Sequence, residues 1–86
     1  MWFKKVKKEV SGITFEEWVK DHIEVKHPVT LYKNTGDGYK EIMHAYGVDE
    51  IHIGRLEQFK NYKVEQSIKV IDEDSDDIVR YYVLVN

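Results

Sequence analysis

The chain predicts an α+β fold: one domain over residues 1–86, with a mainly antiparallel sheet, a C-terminal β-hairpin and two short helices packed on one face. Three patterns carry this expectation. Tyr62–Val70 alternates apolar and polar residues, Ile78–Val85 is a second extended apolar run, and Thr14 and Glu17 frame the start of an amphipathic helix. Period-two alternation sends successive side chains to opposite faces of a strand, whereas a helix repeats its apolar face every three to four residues. At 86 residues the chain is the size of one small domain.

Residues 2–10 read as a strand whose even positions, Trp2, Val6 and Val10, face the interior, with Ser11-Gly12 as the following turn. Thr14 is a helix N-cap, and Glu17 three residues later completes a capping box that satisfies two orphaned backbone donors. Phe15, Trp18, Val19, His22 and Ile23 fall within an arc of about 140° on that helix. Pro28 disfavours helical geometry at His27, so the helix is expected to stop by about Lys26.

Val29–Lys33 has the β-branched and aromatic content of a short strand, and Asn34–Gly38 is a turn. Tyr39, Ile42, Met43 and Tyr46 follow the i, i+3, i+4, i+7 pattern of a second helix, with Gly47 as its left-handed terminator. Ile51 and Ile53 flank His52 in a predicted third strand ended by Gly54, and Leu56 and Phe59 give a single helical turn.

In the hairpin, Tyr62, Val64, Ile68 and Val70 are assigned to the core face, and Lys63, Glu65, Ser67 and Lys69 to solvent. The final strand differs. Val79, Tyr81, Val83 and Val85 make one apolar face, and Tyr82 and Leu84 make much of the other apolar too. Such a strand lies in the sheet centre or meets another surface.

Charge is uneven. Residues 1–43 hold eight lysines against seven acids, while residues 44–86 hold five basic groups against nine acids. The overall net charge of −3 argues against general attraction to nucleic acid or anionic membrane. The chain has no cysteine, which removes disulfides, thiol nucleophiles and thiolate metal sites. Its apolar runs fall short of the ~20 residues of a membrane helix. Lysines near the start precede no signal-like apolar stretch, so the expected setting is the cytoplasm with no membrane partner.

No motif brings a cofactor or metal with it. Asp72, Asp74 and Asp76 have the alternate spacing of a calcium loop, but Asp77 and Val83 stand where its glycine and bidentate glutamate belong. The histidine pairs, His22 with His27 and His44 with His52, lack the spacing of a helical zinc site, and without cysteine a zinc site would need carboxylates such as Glu50 near His52. Thr35–Gly38 ahead of a predicted helix could hold a phosphate, yet the lysine and hydroxyl of a phosphate loop are missing. The serines Ser11, Ser67 and Ser75 have no histidine nearby in sequence.

The functional expectation is a non-enzymatic protein–protein interaction module, a small bacterial or phage accessory, adaptor or inhibitor protein, or a homodimer. Its partner-binding residues are Asp72, Glu73, Asp74, Asp76 and Asp77 for electrostatic docking, with Tyr82 and Leu84 for apolar contact. The second reading is nucleic-acid binding by Trp2, Phe3, Lys4, Lys5, Lys7 and Lys8, where aromatic and basic residues interleave as in base-stacking sites. The third is a small hydrolase or nuclease, for which the sequence offers no catalytic constellation. An ordinary edge strand accounts for the lysines, and a solvated turn for the acids.

Overall fold

A computed structural model describes residues 4–10 and 12–86. Its elements in chain order are β1 (Lys4–Val10), α1 (Phe15–Asp21), β2 (Val29–Asn34), β3 (Tyr39–Ala45), a 3₁₀ turn (Val48–Glu50), α2 (Ile53–Phe59), β4 (Val64–Asp72) and β5 (Ile78–Val85). The five strands form one sheet in the order β1-β4-β5-β2-β3. All pairings are antiparallel except that of β2 with β5, which is parallel. The expected α+β architecture is present, and the hairpin of β4 and β5 lies where the alternation placed it.

Helix α1 starts as predicted. Thr14 Oγ1 accepts from the Glu17 backbone N–H, and Glu17 Oε1 accepts from the Thr14 N–H, so the capping box is closed. The helix ends earlier than expected, at Asp21, and residues 22–28 run irregularly to Pro28. Its buried side chains, Phe15, Trp18 and Val19, pack with Val29, Leu31, Val64, Val83 and Val85 of the sheet and with Phe59 of α2. Both helices therefore cover the same sheet face. Burying each such side chain contributes about 1.5–3 kcal/mol relative to exposure.

The second predicted helix is a strand. Tyr39–Ala45 pairs with β2 as a hairpin around Asn34–Gly38, where Gly36 and Gly38 adopt positive φ and Thr35 N–H bonds to Gly38 O. The misleading spacing has a physical source. The register shifts between Leu31 and Tyr32, leaving Ile42 as an extra residue, and both Ile42 and Met43 pack toward the core. Two adjacent inward residues on a bulged strand imitate the i+3, i+4 pair of a helix. With no helix after Thr35–Gly38, the phosphate reading of that turn loses its basis.

The predicted strand at Ile51–Ile53 is also replaced. Ile51 packs against the core, His52 is the N-cap of α2, and Ile53 is strongly exposed, so no alternating buried face exists there. Gly47 is not a left-handed terminator: its φ of 179° is extended. A Cβ at this position would sit 2.8 Å from Asp49 Oδ1 and 3.3 Å from the Val25 carbonyl, so close approach, and not a left-handed backbone, is what favours glycine here.

The faces of β4 are the reverse of those expected beyond Val64. Val64 pairs with Val85 in the core, but Gln66 pairs with Leu84, so Glu65 is an extra residue. One inserted residue moves every following side chain to the other face. Ser67 and Lys69 accordingly lie on the helix side, opposite Val83 and Tyr81, while Ile68 and Val70 lie on the far side, opposite Tyr82 and Arg80. In β1 the strand assignment holds but the interior does not: Val6 is 51% and Val10 87% exposed, because they sit on an edge strand of the far face. Trp2 and Ser11 lie outside the described residues.

Candidate functional site

Strand β5 is the middle strand of the sheet, which explains its apolar character on both sides. Tyr81, Val83 and Val85 are buried beneath the helices. Tyr82 and Leu84 are half-buried on the opposite face, over which, among the described residues, no helix lies. There the Tyr82 ring lies 5.8 Å from that of Tyr32 at an interplanar angle of 47°. Arg80 Nη1 donates to the Tyr82 hydroxyl at 3.1 Å, with its guanidinium carbon 5.8 Å from the Tyr82 ring centre. Arg80 Nε is buried without a hydrogen-bond partner. Thr30, paired with Tyr82 in the register, shares a 2.9 Å hydrogen bond with His44 Nδ1. The far face is thus an aromatic and aliphatic strip, partly closed by its own side chains.

The five carboxylates of 72–77 are not equivalent. Asp72 Oδ1 accepts from the Asp74 N–H at 2.9 Å and the Ser75 N–H at 3.4 Å, so its side chain organises the turn. The Asp72 backbone N–H donates to Asp77 O, and Asp76 adopts positive φ (59°), a conformation aspartate tolerates. Glu73, Asp74, Asp76 and Asp77 are exposed. The β1–β4 register sets Lys4 opposite Asp72, so the acidic turn and the start of the lysine-rich strand share one end of the sheet.

For the nucleic-acid reading, Trp2, Phe3 and the side chains of Lys4 and Lys5 lie outside the described residues. Lys7 and Lys8 are both exposed and, as neighbours on a strand, point to opposite faces. Glu50 and His52 line one polar cleft of about 410 Å³ with Arg55. Among the described residues, however, no three His, Cys, Asp or Glu side chains converge as a metal site.

A site that sequence reading missed lies on the helix side. A cleft of about 600 Å³ opens between the 22–28 segment and the sheet, lined by His22, His27, Lys69, Ile78 and Tyr81 among others. The His22 ring stacks on Trp18 with centroids 4.1 Å apart, and its Nδ1 is 2.7 Å from the Trp18 carbonyl. A carbonyl only accepts, so Nδ1 carries a hydrogen and Nε2 is left to face other groups. Tyr81 forms the floor at 4% exposure, edge-on to both Trp18 and His22. Burial, and secondarily the charge of Glu9, raises the Tyr81 hydroxyl above the ordinary tyrosine pKa. The histidines' only sequence signal was His22 beside an apolar helix face; Lys69 was assigned to the wrong side.

Among the described residues no helix is long and apolar enough to cross a membrane. In comparisons with known protein families, curated proteins and solved structures, the chain matches none.

Proposed function

We propose that the protein is a non-enzymatic docking module of the cytoplasm, binding another protein through the helix-free face of its sheet and the acidic turn beside it. The observation that carries this reading is a central strand, β5, apolar on both sides but covered by helices on one. Tyr82, Leu84 and Tyr32 supply rigid apolar contact area, the type of surface that aromatic-rich interfaces use. Glu73, Asp74, Asp76 and Asp77 form a rim that speeds encounter with a basic surface and makes it salt-dependent.

The test is affinity capture from a host extract at low salt, with two variants as controls. The first carries Glu73→Gln, Asp74→Asn, Asp76→Asn and Asp77→Asn; Asp72 is kept because it holds the turn. The second carries Leu84→Ser. A partner that the wild type retains and both variants lose supports the reading. Retention unchanged in both variants refutes it, and a two-fold change in mass by sedimentation would identify a second copy as the occupant.

A further inference from the structure

We propose that the cleft beneath the 22–28 segment binds a small oxyanion-bearing molecule, its negative group held by Lys69 Nζ and the Tyr81 hydroxyl. This site is on the opposite face of the sheet from the docking surface and does not depend on it.

Three residues with polar groups, Tyr81, Lys69 and His22, line the cleft. Tyr81 is 4% exposed as a residue and lines the cavity, which puts its hydroxyl within reach of a molecule held there. Lys69, half-buried on the same wall, has no ion pair among the described residues. Its register partner on β1 is Lys7 and on β5 is Tyr81. Like charges directly opposite on neighbouring strands repel, and an anion between them would relieve that repulsion. His22 Nε2 is the third group, since Nδ1 is committed to the Trp18 carbonyl.

The donor set selects the ligand. The Tyr81 hydroxyl, kept protonated by burial, and the Lys69 ammonium both donate, which suits a carboxylate or phosphate oxygen. Ile23, Val25 and Ile78 line the same cleft and provide contact for an apolar body. Asp21 and Glu24 at the exposed rim, and Glu9 near Tyr81, oppose a highly charged ligand. The fit is therefore to a singly or doubly charged small molecule rather than to a polyanion.

The experiment is an amide NMR titration of the full chain at low ionic strength with inorganic phosphate and, separately, benzoate. The expected result is a saturable shift confined to residues 22–28, 69, 78 and 81, and the stronger probe distinguishes phosphate from carboxylate recognition. Lys69→Gln should weaken binding about tenfold, as loss of a charge-assisted contact does, and Tyr81→Phe about threefold to tenfold, as loss of one neutral hydrogen bond does. Both variants keep their apolar volume, and their own spectra verify the native fold. The four-acid turn variant should bind the probes as the wild type does. No saturable shift with either probe, or equal binding by the wild type and Lys69→Gln, overturns the proposal.

Discussion

Replacing Ser67 with alanine tests whether the bulge in β4 places this hydroxyl under helix α1. Trp18 is 1% exposed and its indole Nε1 donates to Ser67 Oγ at 3.0 Å, both groups being buried. Ser67→Ala removes the acceptor and leaves the indole N–H dry, which costs about 1–3 kcal/mol. The surroundings give the indole little freedom to find water: His22 stacks at 4.1 Å, Tyr81 meets it edge-on at 5.8 Å and Phe15 lies 6.0 Å away. For a domain of this size each kcal/mol corresponds to a fall in Tm of about 4–8 °C. Urea unfolding followed by circular dichroism, on the wild type, Ser67→Ala, Trp18→Phe and the double variant, isolates the interaction. In the Trp18→Phe background the donor is gone, so Ser67→Ala should be close to neutral, giving a coupling of about 1 kcal/mol or more. A loss below about 0.5 kcal/mol for Ser67→Ala, typical of an exposed substitution, would refute the placement. So would equal losses in the two backgrounds.

Thr14→Ala opens the capping box of α1 and should destabilise the fold by about 1 kcal/mol, measured by the same urea transitions. Gly47→Ala places a Cβ against Asp49 Oδ1 and the Val25 carbonyl; an expected loss of about 1–3 kcal/mol, the usual cost of overpacking, appears as a lower Tm. The Lys26–Asp49 pair, 2.7 Å apart, holds the Asp49 carboxyl below the usual aspartate range, first through the hydrogen bond to Lys26. Its folded-state pKa is depressed, so its contribution is present above the unfolded aspartate value and is lost as pH falls through the folded one. Asp49→Asn should therefore differ most from the wild type near neutral pH and converge with it in acid, as paired urea titrations at neutral and acid pH would read.

Much of this architecture was legible where local rules and tertiary packing agree. Thr14 and Glu17 announce α1 because a capping box acts within four residues. The two-faced apolar content of Tyr81–Val85 anticipated a central strand, flanked by β4 and β2 along both of its edges. Legibility failed at the bulges. Glu65 reverses the faces of β4, and Ile42 lends β3 a helical spacing; neither extra residue is marked by glycine or proline. Helix α2 was missed as an element because Ile53 is exposed and only Leu56 and Phe59 give it an inward stripe. The acidic turn could be read directly, being contiguous in sequence. The cleft could not: His22, Lys69 and Tyr81 meet only through strand pairing and the fold of α1 onto the sheet.

Within the sheet, among the described residues, strand β5 alone joins the β1–β4 pair to the β2–β3 hairpin. During translation, residues 4–72 can therefore form two separate ribbons but not a continuous sheet, and Val29, Leu31 and Val64 lack their strand neighbours until Tyr81, Val83 and Val85 have left the ribosomal tunnel. Sheet completion is consequently a late, long-range event, and slow by the standards of chains dominated by local contacts. Shortening the chain by residues 78–85 would split the sheet into two ribbons instead of trimming its edge.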